Sequence, residues 1–427
     1  MLYDRLPAWV RVRLDRLLGS DFVRKVAETF VTRIALVVIG LITSVLIARV
    51  LGPEGRGLQA TLAAVVAIGA QLGNFGLHSA NTYYVARDRK LLPTLLGNTL
   101  LVSLISGAFV ALVGWLVLAI WPQLAPLPYG LLVLAFITVP LSLAYMLLQN
   151  LLLGIGEVRA YNMIELVSRI ATVALLTLLI VLRLVSVEAI AVIAIAVAAA
   201  GIAWETLRLR PHLAGQVTVS LGLMREHFAY GFRAYVGALF AFTVLRADII
   251  LAKLLLGAEA TGQYSIAVSM ADLVYMLPVA AGTIAFPRLT ATEDPAERWA
   301  KALSVTKYIA LVMVTLAVVA ALLARPVVGL LYGEAFLPSV PAFLWLLPGV
   351  VMLGVNTILM NYFASIGNPS VVIWSPAIAS GVNIALNVIL MPRMGVSGAA
   401  IASSVAYGFM LLMSAAYVRL RSAPVVT

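Results

Sequence analysis

Apolar runs of about 20 residues recur from one end of this chain to the other, broken by short polar stretches. Each run is long enough for a helix to cross a hydrocarbon layer of ~30 Å. The ten-residue segments of alternating hydrophobicity that mark an outer-membrane barrel are absent, so the runs read as helices. The pattern predicts twelve spans, at 28–50, 57–81, 92–120, 129–153, 162–182, 187–206, 228–256, 262–286, 301–324, 341–365, 370–391 and 396–418. Residues 1–27 are basic and loosely amphipathic, without the unbroken apolar core of a signal peptide, and are expected to lie along the membrane surface. The longest polar connection, 207–227, divides the chain into a six-span N-lobe, 28–206, and a six-span C-lobe, 228–427, with a short tail.

Composition agrees with this all-α integral membrane reading. With 63% hydrophobic residues, 11% charged residues and a mean hydropathy of +1.06, the chain is not an ordinary soluble domain. It has no cysteine, which removes disulfides, thiolate metal sites and cysteine nucleophiles, and its three histidines make no metal-ligand spacing. No catalytic arrangement is present, so neither enzyme activity nor a cofactor is expected, and without a phosphate-binding loop no ATP hydrolysis.

The net charge of +11 is explained by placement rather than by a nucleic-acid partner. Eighteen basic residues fall in connections on the side of the N-terminus and four on the other side, which predicts both termini in the cytoplasm.

Two short motifs occur twice. Leu51-Gly52-Pro53-Glu54-Gly55-Arg56-Gly57 is answered 205 positions later by Leu256-Gly257-Ala258-Glu259-Ala260-Thr261-Gly262. Asn150 to Gly156 is answered 211 positions later by Asn361 to Gly367. Two repeats of like orientation imply a pseudo-two-fold along the membrane normal, with a cleft between the halves.

At these residues the chain resembles the polysaccharide, or O-antigen repeat-unit, flippases of the multidrug/oligosaccharidyl-lipid/polysaccharide (MOP) exporter superfamily. The marks are IARVLGPEGRG at 47–57, LGNFGL at 72–77, LGIGEVR at 153–159, LRAD at 245–248 and NIALNVILMPRMGVSGAAIA at 383–402. The resemblance implies a two-lobed bundle in the bacterial inner membrane. Such a bundle moves an undecaprenyl-diphosphate-linked oligosaccharide from the cytoplasmic to the outer leaflet, in a pathway with glycosyltransferases and a polymerase. A monomer is expected.

That substrate needs cations for its diphosphate, and cations are costly in lipid unless they line a wet cleft. Arg246 and Asp272 sit about ten residues from the outer turn between spans seven and eight, so both lie ~15 Å below it and can pair across the hairpin. This pair, with Asp248, reads either as a structural ion pair or as a site for the diphosphate or a coupling ion, H+ or Na+. Arg33, one turn into span one, counts out level with Gly76, between Asn74 and His78, as an anion-attracting cluster or as an arginine reaching for headgroups. Glu165 and Arg169 have the i,i+4 spacing of a helix salt bridge, with Arg169 also a candidate for the substrate. Asn74 and Gln149 are candidate sugar contacts against a default of helix packing. Arg49 reads as a membrane anchor. Pro140, Pro278, Pro348 and Pro376 fall mid-span as kinks or hinges.

Other functions remain open on the sequence. An ion-coupled exporter of small cations needs carboxylates facing the cleft, a membrane polymerase or ligase needs a large outer loop, and a scaffold needs neither.

Overall fold

The computed structural model describes residues 21–422, and among them there are twelve α-helices and no strand. They are α1 (Asp21–Asn74), α2 (Leu77–Arg87), α3 (Leu92–Ile120), α4 (Tyr129–Gly154), α5 (Val158–Val181), α6 (Val187–Leu209), α7 (Leu221–Leu256), α8 (Ala258–Thr290), α9 (Pro295–Leu331), α10 (Ser339–Ser365), α11 (Val371–Met394) and α12 (Val396–Ser422). Most of the expected surface segment 1–27 lies outside the described residues; its last residues already belong to α1.

The 54 residues of α1 would make a straight rod of ~80 Å. The rod is folded instead. Gly52 has a φ of 65°, a left-handed conformation open to glycine, and Pro53 then restarts the helix with its φ already set. Arg56 Nη2 lies 3.2 Å from Ser44 Oγ, twelve positions back, a pair that a straight helix would hold ~18 Å apart. The first limb of α1 is therefore span one. The second limb, continued by α2 past a break at Phe75-Gly76, is span two.

Among the described residues, ten helical stretches are long and apolar enough to cross a membrane. Folded α1 supplies two crossings, and α7, whose mid-helix charges Arg246, Asp248 and Lys253 lower its hydropathy, supplies the twelfth. Alternating crossings place both ends of the described chain on one face, the terminal face. The turns at Gly52 and Gly257 lie on the other, the turn face.

The two halves pack by one plan. In the N-lobe α4 is central against α3, α6 and the α1–α2 pair, while α5 packs on α1 and α6. In the C-lobe α10 is central against α9, α12 and α8, while α11 packs on α7 and α12. The outer faces of the equivalent helices α3 and α9 stay apolar and exposed, at Leu104, Phe109, Leu311 and Leu322 among others, as lipid contact requires.

One sequence expectation shifts. The polar connection 207–227 is shorter than expected, because α6 runs to Leu209 and α7 starts at Leu221. It is also tied down, since the Asn98 side chain on α3 exchanges hydrogen bonds of 3.1 and 3.0 Å with the backbone of Ser220. Pro140, Pro278, Pro348 and Pro376 all lie inside helices.

Candidate functional site

Between the lobes, α1, α5 and α8 enclose a cavity of about 390 Å³. Each helix presents one face to it, at helical spacing: Arg33, Leu36, Gly40 and Ser44 from α1, Glu165 and Arg169 from α5, Ser269, Asp272 and Met276 from α8. Gly40 has nothing within 4 Å of where a side chain would begin, which widens the space.

The charges are divided unequally between pairs. Glu165 does not take Arg169 as its partner; it accepts from Arg33, 3.4 Å away on α1, and Arg33 also donates to the Tyr161 hydroxyl at 2.9 Å. The expected grouping of Arg33 with Asn74 and His78 is thereby corrected, because the arginine turns toward α5. Arg246 and Asp272 do pair across the α7–α8 hairpin, at 3.1 Å, with side chains 31% and 44% exposed. Asp272 is the member that lines the cavity. Both carboxylates on the wall thus already hold an arginine. Arg169 is exposed and has no carboxylate partner among the described residues.

Beyond Ser44 and Ser269, on the side of the turn face, the repeated motif joins the lobes. A side chain at Gly57 would run into the carbonyl of Ala258, and one at Gly262 into the carbonyl of Pro53. Gly57 and Gly262 are the seventh residues of the two motif copies, and Pro53 and Ala258 the third, so the two turns meet reciprocally and seal the turn face. Just inside that seal lies Arg56, only 8% exposed. It donates from Nε to Ser265 Oγ (3.2 Å), from Nη1 to Gln59 Oε1 (2.8 Å), and from Nη2 to Ser44 and Ser269 Oγ (3.2 Å each). Ser44 and Ser269 line the cavity, so this guanidinium is one hydrogen bond behind its wall.

Across the terminal half the lobes meet along α2 and α7 through aromatic rings. Tyr83 stacks on Tyr230 at 4.6 Å, Tyr84 on His227 at 4.2 Å, and Phe75 meets Phe228 edge-on at 5.9 Å. The Tyr235 hydroxyl donates to the Leu72 carbonyl at 2.9 Å.

Asp248 lies off the main cavity, inside the C-lobe, at 1% exposure. It accepts hydrogen bonds from the Tyr264 hydroxyl, from Ser403 Oγ at 3.1 Å and from the Ile249 amide at 2.8 Å. A polar chain continues away from it: Asn383 donates to Ser403 at 3.2 Å and Asn387 donates to Asn383 at 2.9 Å. Asp248, Asp272, Tyr264 and Tyr275 also share a small pocket that adjoins the cavity at Asp272.

Two expected contacts are elsewhere. Asn74 is buried and bonded to His78, its Nδ2 2.7 Å from His78 Nδ1 and its Oδ1 accepting from the His78 amide at 3.2 Å; it caps the break between α1 and α2. Gln149 is buried within the N-lobe. Neither lines the cavity. Arg49, expected as an anchor, donates to the carbonyls of Leu330 and Leu331 at the C-terminal end of α9, where a cation suits the helix dipole. Arg56 is the residue sequence reasoning passed over, counted as a loop cation. Its signal was there to read, since the motif's second copy has Thr261 at the same place.

Solved structures of similar architecture include a lipid flippase and multidrug transporters. The chain matches one described as lipid II flippase MurJ, inward closed conformation, at 16% identity with a TM-score of 0.75, over 93% of this chain and 87% of that one. It matches the inward-facing conformation of a multidrug resistance MATE family transporter of the MOP superfamily at 15% identity with a TM-score of 0.71, over 90% and 94%. A curated relative, an uncharacterised membrane protein of Methanocaldococcus jannaschii, is 25% identical over 199 residues, which are 46% of this chain and 39% of the relative. The match therefore spans about two fifths of that relative's length. Residues 22–293, well over half of the chain, match the family described as polysaccharide biosynthesis protein, and this two-lobed multi-pass membrane chain belongs to that family.

Proposed function

We propose that the protein is a flippase that carries an undecaprenyl-diphosphate-linked oligosaccharide across the bacterial cytoplasmic membrane, with the terminal face cytoplasmic. One observation carries this reading. Every carboxylate on the cavity wall is held by an arginine, while Arg169 on the wall and Arg56 behind it have no carboxylate, so the uncompensated charge at the cavity is positive. An uncompensated guanidinium in a partly dry cleft is a strong, bidentate partner for phosphate oxygens. Arg33 and Arg169 take the diphosphate at the cytoplasmic mouth; Arg246 reaches the same cavity through Asp272. An exporter of small cations would need those carboxylates free.

Energy for the step comes from a coupling ion, H+ or Na+, at Asp248, where the Tyr264 hydroxyl of α8 and the Ser403 hydroxyl of α12, itself bonded by Asn383 of α11, hold a carboxylate that lacks an arginine of its own. The lobes rock about the cavity, a monomer suffices, and glycosyltransferases and a polymerase supply and consume the substrate.

Deleting the gene tests the reading: lipid-linked oligosaccharide is expected to accumulate on the cytoplasmic leaflet, and complementation with Arg169→Ala is expected to restore less than about a tenth of export, the loss of a bidentate charged contact. Unchanged leaflet distribution in the deletion strain defeats it.

A further inference from the structure

We infer that Arg56 is a second anion site, at the outer gate. The guanidinium that latches the lobes while the turn face is sealed is the one that takes the substrate's phosphate when that face opens. This rests on the flippase reading above.

Four observations converge on it. First, direction: Arg56 is four residues from the turn at Gly52, close enough to the surface for its long side chain to reach the headgroups. It points the other way, to Ser44, which lies eight residues or ~12 Å below that turn. Second, charge: at 8% exposure it has only neutral acceptors, three serine hydroxyls and an amide. A buried cation is ordinarily matched by an anion.

Third, geometry: the donors given to the C-lobe, Nε to Ser265 and Nη2 to Ser269, are the two that form one edge of the guanidinium fork. That edge matches two phosphate oxygens. The remaining acceptors, Ser44 and Gln59, belong to Arg56's own lobe and stay with it. Parting the lobes removes Ser265 and Ser269 together and leaves the paired donors facing the widened cavity.

Fourth, the repeat is broken at this contact. Thr261 stands where Arg56 does, and Ala60 and Ala64 stand where Ser265 and Ser269 do. One lobe carries the cation and the other carries its acceptors. Phosphate that binds the freed edge stabilises the open gate, since a ligand shifts an equilibrium toward the state that it binds better.

The chain has no cysteine, so Met276→Cys on the cavity wall gives one labelling site. In right-side-out vesicles a membrane-impermeant maleimide reaches the introduced thiol through the opened turn face. Inorganic pyrophosphate added outside is expected to raise the labelling rate at least about threefold and saturably, as a shift of population toward the open gate. Arg56→Gln in the same background is expected to label faster without pyrophosphate, its latch being lost, and to lose the pyrophosphate response; Arg56→Lys keeps part of it. Where Arg56→Gln fails to fold, Ser265→Ala with Ser269→Ala serves, removing the latch's acceptors while the response is kept.

A response that survives in Arg56→Gln, or none with Arg56 present, overturns the inference. Inside-out vesicles separate this from the reading on which it rests. There pyrophosphate should protect the same thiol in an Arg33- and Arg169-dependent way. Protection inside with no response outside defeats the outer site alone, and no protection defeats the diphosphate reading as well.

Discussion

The two lobes share a packing plan and differ in where they put charge. The N-lobe sends arginines to the space between the lobes: Arg33 and Arg169 to the cavity wall, Arg56 behind it. The C-lobe gives that space Asp272 and Ser269 and turns its most buried carboxylate inward, with Asp248 at the head of a chain through Ser403, Asn383 and Asn387. What the repeat has preserved is backbone approach at the glycines; what has diverged is the chemistry hung on it. One lobe lines the space between the halves with guanidinium groups, and the other buries a carboxylate.

The sharpest test of that contrast is at the position where the lobes should be alike. Gly57→Val and Gly262→Val each force a side chain into a facing carbonyl, and each is expected to cost about 2–3 kcal/mol by overpacking. Thermal unfolding followed by tryptophan fluorescence reads this, with equal losses expected at the two sites. Gly381→Ala, with nothing within 4 Å, serves as the control. A loss at one glycine and not the other would break the claim of a reciprocal seal.

Next come positions that should differ. Asp248→Leu strands the Tyr264 and Ser403 hydroxyls and is expected to cost about 2 kcal/mol. The N-lobe counterpart, Thr43, bonds only its own helix at the Ile39 carbonyl, so Thr43→Val should stay within ~0.5 kcal/mol in the same assay.

Asp272→Asn has a smaller expected effect. The Arg246 pair is 31% and 44% exposed, so solvent screens it and about 1 kcal/mol or less should be lost, mainly at low salt. A loss that does not shrink as salt is raised would show that the pair is drier than its exposure says. Smallest is Arg49→Ala, expected to cost about 0.5 kcal/mol by leaving the Leu330 and Leu331 carbonyls to the dipole of α9 alone.

Much of the fold was legible in the sequence, because span length and the doubled motif are one-dimensional signals. The Arg246–Asp272 pair was legible for the same reason: two positions equally far from a tight turn must sit side by side. Contacts between helices distant in sequence were not. Nothing along the chain says that Glu165 will prefer Arg33 on α1 over Arg169 one turn away, since the choice depends on how α1 and α5 are rotated in the bundle. Asn74 looked like a sugar contact because a buried amide carries no label for its partner, and the helix break at Phe75 and Gly76 used it. Arg56 lies beside a turn, where counting assigns a side chain to the surface; only the packed lobes reveal that it hangs inward.

The seal between Gly57 and Gly262 joins peptide groups directly, with no side chain between them. Such a joint has nothing to titrate and no charge for salt to screen. Acidifying or diluting the medium leaves its grip unchanged. A joint of this construction is indifferent to the weather around it.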